Sequence, residues 1–373
     1  MQVLLLNYEF PPLGGGAGNA TAYLLREFSR DPEIRIDLIT SSTDAAREEA
    51  FSENIRIHFL DIGKTGGLHY QSNRNLLAYS WKAFSYGRRL VRANHYDVCH
   101  AFFGIPCGFI ARKLGLPYIV SLRGSDVPFY NERFRVLDRL LFKRLSVRIW
   151  QGAAWVVANS TGLRNLALES APNQPIEVIH NGVDTEAFRP AHRRGDGVRV
   201  VCVARLIRRK GIEYLIRAIS QLPDWDIRLT IAGNGNQEGA LRALAHELGV
   251  AARVEFAGFV DHDAIAAVYR QHDVFVLPSL NEGMSNTVLE AMACGLPLIL
   301  TDTGGTAELL EPEANGFTVA MRSAEDIAAK LRWYAENPEM IRRHGQRSRE
   351  IAESRGWRNV AEAYKKLYRS IGT

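Results

Sequence analysis

Cysteine is scarce: Cys99, Cys107, Cys202 and Cys294 are the only four in 373 residues, and none belongs to a CxxC pair or to a cluster of cysteines and histidines at zinc-ligand spacing. A disulfide framework or a structural zinc site is therefore disfavoured, and the four read as reduced thiols filling apolar cores in a cytoplasmic chain. Long apolar runs are missing too, since no window approaches the roughly 20 residues of a membrane span. The opening MQVLLLNYEFPP combines a short apolar core, no basic leader and two prolines, so it reads as a buried first strand rather than an export signal. No GxGxxG register is present, which argues against an NAD-dependent dehydrogenase. Without a GxSxG elbow or an HExxH pair, hydrolase readings lose support. No fixed-period repeat or low-complexity tract occurs.

What remains is ordinary globular material, 46% hydrophobic and 23% charged, and long enough for two domains. The formal charge of +5 is unevenly placed. Between Lys82 and Arg148 thirteen lysines and arginines face four acids, a surplus of nine, which predicts a basic face on the first domain. Within it, residues 133–150 (RFRVLDRLLFKRLSVRIW) interleave six cations with Phe134, Val136, Leu137, Leu140, Leu141, Leu145 and Trp150. That stretch suits either an anionic membrane surface or a core helix with a basic outer face. Nucleic acid is not expected, because no recognition module accompanies the charge.

Apolar runs alternate with helical patterns along both halves. The first half carries VLLLNYEF, IRIDLIT, IRIHFLD, DVCHAFF, LPYIVSLRG, AAWVVANS and IEVIHNG; the second carries VRVVCVAR, IRLTIAG, RVEFAG, DVFVLPS, LPLILTD and GFTVA. Buried strands alternating with helices predict two doubly wound parallel sheets, an α/β class. Domain boundaries are expected at 1–184 and 197–355, with a turn-rich linker at 185–196. The final segment, 356–373, reads as an amphipathic helix, with Trp357, Val360, Ala361, Tyr364, Leu367, Tyr368 and Ile371 at helical spacing.

Five loops carry candidate chemistry. In NEGMSNTVLEAMACG, Glu282 and Glu290 stand eight positions apart across a turn-to-helix junction. Ser285 or Asn286 would cap that helix, and its first amides, around Thr287 and Val288, would face an anion. The two glutamates either flank a phosphate or are solvated residues beside an ordinary cap. In PPLGGGAGNATAYLL consecutive glycines let the backbone approach a ligand, or form a plain tight turn. VARLIRRKG places Arg205 and Lys210 among further cations, a set suited to a diphosphate or to a solvated surface. Gly233, Gly235 and Gly239 in IAGNGNQEG have the wrong spacing for a dinucleotide loop. Asp261, His262 and Asp263 precede AIAAVYRQHDV and read as a helix cap rather than a metal site. His100 and His180 end strands without a nucleophile partner.

In order, these segments resemble retaining glycosyltransferase family 4, a GT-B group using nucleoside diphosphate sugars. The resemblance rests on PPLGGG, LRGSD, VIHNGVDTEAFRP, VARLIRRKG, IAGNG, FAGFV and EGMSNTVLEAMACGLPLILTDTGGTAELL. It spans nearly the whole chain. It implies two Rossmann-like domains facing a cleft, with the terminal helix crossing back onto the first. The implied activity is transfer of a hexosyl-type sugar from a UDP or GDP donor to a hydroxyl acceptor on a lipid-linked or cell-envelope glycan, by a cytoplasmic enzyme peripheral to the membrane. No cofactor or metal is implied: Arg205 and Lys210 would clamp the leaving diphosphate, Glu282 would meet the donor sugar and Glu290 the ribose. Backbone from Gly283, Met284, Ser285, Asn286, Thr287 and Val288 would hold sugar and phosphate. Gly15 and Gly16 would approach the diphosphate, Gly233 would line the donor site and Val260 would meet the base. One position departs. Where many members have His-Gly-x-Asp, this chain has Arg123, Gly124, Ser125 and Asp126. A guanidinium is permanently charged and cannot act as a base, so Arg123 either binds a phosphate, an acidic sugar or an acceptor, or forms a structural ion pair with Asp126. GT-B epimerases, phosphorylases and a non-catalytic nucleotide-binding protein are the alternatives.

Overall fold

A computed structural model of the chain describes residues 1–64, 72–130, 135–191, 197–282, 284–303, 305 and 308–371. Two compact units are present, Met1–Asn181 with Trp357–Thr373, and Gly182–Gly356. The second unit thus begins upstream of the expected linker. Phe188, at 2% exposure, is buried in that unit's core, and the Arg349 guanidinium donates to the carbonyls of Thr185 and Phe188. Residues 185–188 are thereby fastened to the second unit, because an aromatic anchor outweighs the turn-forming residues around it, whereas 189–191 are exposed. Of the predicted linker, 192–196 lie outside the described residues.

The first unit contains β1 (Gln2–Leu6), β2 (Arg35–Ser42), β3 (Arg47–Ser52), β4 (Ile55–Asp61), β5 (Val98–Phe102), β6 (Tyr118–Leu122), β7 (Trp155–Ala158) and β8 (Glu177–Val178), in sheet order β3-β4-β2-β1-β5-β6-β7-β8. Central strands such as β5 (VCHAF) are buried throughout, as strands covered on both faces must be. All neighbours run parallel except β3, which pairs antiparallel with β4. The sequence reading passed over β3: REEAFS has no apolar run, and its exposed charges suit an edge that must not recruit another strand.

The terminal helix Trp357–Ile371 packs on this unit. Trp357, Val360, Ala361, Tyr364 and Tyr368 are buried, the Trp357 ring stacks on Tyr23 at 5.3 Å, and Lys365 reaches Asp31 at 2.8 Å. The basic stretch is helical as Arg135–Leu137, Asp138–Phe142 and Lys143–Gln151 in succession; residues 133 and 134 lie outside the described residues. Val136, Leu137 and Leu141 are exposed, whereas Ile149 and Trp150 are core residues, so Trp150 cannot belong to a surface-docking face. No described helix is long and apolar enough to cross a membrane.

The second unit is wholly parallel, with β9 (Val198–Val203), β10 (Ile227–Ala232), β11 (Val254–Gly258), β12 (Val274–Leu277), β13 (Leu298–Thr301) and β14 (Gly316–Val319) in the order β11-β10-β9-β12-β13-β14. The strand order reverses direction between β9 and β12. In open α/β sheets, loops at the carboxyl ends of the strands flanking that reversal form the ligand crevice.

Candidate functional site

The loop after β9 carries Arg205 and Lys210, and the loop after β12 carries Glu282, so both candidate elements sit at the reversal point of the second unit. Backbone contacts join the two loops. Gly211 takes a φ of +62°, and a Cβ there would lie 2.2 Å from the Pro278 carbonyl oxygen. The Leu280 amide donates to the Arg209 carbonyl at 2.7 Å. This closure brings the Lys210 ammonium onto the Glu282 carboxylate, which also accepts from the Ser279 hydroxyl at 3.2 Å. Lys210 is 8% exposed, so the pair is largely withdrawn from water, while the Arg205 side chain is exposed.

Four residues after Glu282 the helix Asn286–Ala293 begins, with Ser285 at the capping position and its hydroxyl 3.1 Å from that of Thr287. Thr287 and Val288 fall in its first turn, where backbone N–H groups have no acceptor inside the helix. Met284 and Val288 turn their side chains into the core. The helix ends at Gly295, φ +75°, after the Leu296 amide has returned to the Ala291 carbonyl. Gly283 lies outside the described residues. Val260 packs half-buried against the core just beyond β11.

Glu290 is held apart from Glu282, in a different environment. It is buried, and the Tyr269 hydroxyl donates to Oε2 at 2.9 Å while His262 Nδ1 lies 3.9 Å from Oε1. Burial raises its pKa to about 8, outweighing the Tyr269 hydrogen bond that favours the charged form. Sequence reasoning missed Tyr269 and treated His262 as part of a helix cap. The signal was their seven-residue separation, which puts both on one face of His262–Arg270. Asp261 does sit at the cap position, but its backbone carbonyl, not its carboxylate, accepts from Ala264 and Ile265.

The raised Glu290 pKa predicts a pH dependence of stability. The folded state holds its proton more tightly than the unfolded chain, in which the carboxyl titrates near 4.5. This contribution is full below that value, is lost as pH rises toward about 8 and is constant above it. The urea midpoint of the wild type is expected to fall more between about pH 5 and about pH 8 than that of Glu290→Gln. Parallel pH profiles for the two proteins would contradict the assignment.

The glycine loops serve different purposes. Gly233 (φ +137°) and Gly235 lie against the carbonyls of Ala204 and Leu206, locking the loop after β10 onto the Arg205 loop, so Gly233 acts in packing. In the first unit it is Gly14, φ +92°, that needs glycine: a Cβ would meet the Glu9 side chain at 2.6 Å. Gly15 stands at the start of the helix Gly16–Phe28, and its amide donates to Glu9 Oε2 at 3.2 Å.

Arg123 and Asp126 also belong to the first unit, and the ion pair that is one of the two readings of Arg123 does not form. Asp126 accepts backbone N–H groups from Gly104 (2.7 Å), Arg123 (2.9 Å) and Gly124 (3.0 Å). Arg123 turns instead to Asn181 and the Tyr364 hydroxyl. His100 is a core residue, bonded to Tyr368 at 2.6 Å and Ser121 at 2.7 Å, and burial holds it well below the usual histidine range. It therefore faces no ligand.

Comparison with known proteins covers both units. The family described as "Glycosyltransferase Family 4" matches residues 14–187, and "Glycosyl transferases group 1" matches residues 184–351. A GDP-mannose-dependent alpha-(1-6)-phosphatidylinositol monomannoside mannosyltransferase of Mycobacterium tuberculosis is 33% identical, over 88% of this chain and 87% of the relative. A D-inositol 3-phosphate glycosyltransferase of Nocardiopsis dassonvillei is 26% identical over 96% of this chain and 91% of its own. Among solved structures, the sucrose-phosphate synthase of Thermosynechococcus elongatus superposes with a TM-score of 0.87 at 23% identity, covering 100% of this chain and 99% of that one. HepE of Anabaena in complex with UDP-glucose gives 0.75 at 19%, covering 99% and 100%.

Proposed function

This chain belongs to glycosyltransferase family 4, and on that premise we propose that it moves a hexosyl group, with retention of anomeric configuration, from a nucleoside diphosphate to a hydroxyl of a glycan or lipid-linked acceptor. The observation that carries the reading is the Lys210–Glu282 pair at the strand-order reversal, four residues before the helix Asn286–Ala293. Departure of a diphosphate leaves negative charge on its oxygens and positive charge on the anomeric carbon. Arg205, Lys210 and the amides of Thr287 and Val288 supply fixed positive potential to the first, an effect that contributes several kcal/mol where water is excluded. Glu282 holds Lys210 in place and offers its carboxylate to the donor sugar. Glu290, set deeper, accepts from the ribose hydroxyls. In this reading the cations take the place a metal fills in other transferases.

The 33% identical relative is named as GDP-mannose-dependent. That makes GDP-mannose the first donor to test here, with UDP-glucose second. Thermal-shift titrations against GDP, UDP and ADP, then against their hexose conjugates, form the experiment. One nucleoside diphosphate is expected to raise the melting temperature, and its conjugate to be consumed with release of that diphosphate when an acceptor is added. A chain whose melting ignores all three would sink the proposal.

A further inference from the structure

Where Arg123 stands, at the carboxyl end of β6, the first unit holds a half-buried positive charge whose side-chain hydrogen-bond partners are neutral. Arg123 Nη1 donates to Asn181 Oδ1 at 2.8 Å, Nη2 lies 3.4 Å from the Tyr364 hydroxyl, and the guanidinium carbon sits 4.3 Å over the Phe102 ring. The Nε–H is buried without a partner. Among the described residues no carboxylate forms an ion pair with this guanidinium. Asp126, three residues on, has committed its oxygens to backbone N–H groups. On the neighbouring strand, β6 and β7 are last in register at Leu122 and Ala158, so Asn159 is the next residue alongside Arg123. Asn159 is buried, and its Oδ1 has no hydrogen-bond partner.

A guanidinium has five N–H donors, and the two neutral acceptors leave most of them unused. Withdrawing a cation even partly from water without an ion-pair partner is costly, and the Phe102 ring offsets only part of that cost. A structural link between Asn181 and Tyr364 requires hydrogen bonds but no charge. The carboxyl ends of parallel strands are also where such sheets receive ligands. We propose that Arg123, with Asn159 beside it, forms an oxyanion subsite that takes a phosphate or carboxylate on one of the two substrates. Planar N–H pairs on the guanidinium match either group, and Asn159 Oδ1 accepts a neighbouring sugar hydroxyl. The subsite rests on the glycosyl-transfer reading above. It distinguishes two sources of the anion: a phosphorylated acceptor or an acidic donor sugar.

Side-chain 15N spectra of arginine-labelled protein test this without requiring turnover. The Arg123 Nε–H signal is assigned by its loss in Arg123→Lys or, if that variant does not fold, by its displacement in Tyr364→Phe. Glucose 6-phosphate, glucuronate and glucose are then titrated into the wild type. One anion is expected to move the signal saturably, with an affinity at least about tenfold above that of glucose. A response to glucose 6-phosphate points to a phosphorylated acceptor, and a response to glucuronate to an acidic donor sugar. If both anions leave the signal where glucose leaves it, the subsite is wrong. The nucleoside diphosphate titrations report separately on the transfer reading, so the two fail independently.

Discussion

Lys210→Ala is expected to lower turnover at least ~100-fold, on the scale of removing one preorganised donor from a charge-stabilising site. The effect should be large because Lys210 is 8% exposed, so its ammonium cannot be replaced by a mobile cation or by bulk water. The same substitution strands the Glu282 carboxylate, leaving it with the Ser279 hydroxyl. Breaking one side of a buried pair costs about 3–5 kcal/mol, so the single variant should also melt early. Two effects are thereby mixed, and a second variant separates them. Lys210→Met combined with Glu282→Gln removes both charges and should regain most of the stability while staying inactive. Turnover is read as release of nucleoside diphosphate, and stability as the urea midpoint. A folded Lys210→Ala enzyme with near wild-type turnover would refute the assignment.

The second large effect concerns packing. Gly233→Ala would place a Cβ 2.0 Å from the Ala204 carbonyl oxygen at a φ of +137°. Neither the backbone angle nor the contact has an easy escape, because the Gly233 amide is bonded to the Gly258 carbonyl at 2.7 Å and Leu206 bonds back to Asn234 at 2.8 Å. The expected loss is at least about 3 kcal/mol, and the Arg205 loop should be disturbed with it. Gly239, in the same glycine run, provides the control. A Cβ there meets nothing within 4 Å, and it lies in the helix Glu238–Glu247, so Gly239→Ala should be neutral or stabilising by up to about 1 kcal/mol. Chemical denaturation of the pair is the measurement. Equal midpoints for the two variants would remove the packing role.

These two cases show why some of the site could be read from the chain and some could not. Strand and helix alternation follows from periodicity, which is local. The helix Asn286–Ala293 is delimited by residues within its own neighbourhood, Ser285 before it and Gly295 after it. The seven apolar positions of the terminal helix are likewise set by its own pattern, and they face the first unit as that pattern requires. Roles that depend on a distant residue were not readable. Nothing near Glu290 in sequence indicates that Tyr269 would donate to it or that burial would raise its pKa. Nor does spacing show that Gly233 lies against the Ala204 carbonyl. REEAFS gives no apolar signal because an edge strand that must not recruit another strand carries exposed charges.

By itself the sequence determined the class of the fold, two sheets of alternating strands and helices, because apolar period and turn chemistry act over a few residues and need no partner. It also determined the family, through ordered motifs extending across both halves. The tertiary structure decided which charges meet. Lys210 and Glu282 lie 72 positions apart and are joined because Gly211 allows the loops after β9 and β12 to touch. The Asp126 carboxylate is taken up by three backbone donors, and the half-buried Arg123 guanidinium bonds to neutral partners instead. Electrostatic roles depend on burial and on the nearest opposite charge, and both are properties of the folded chain alone.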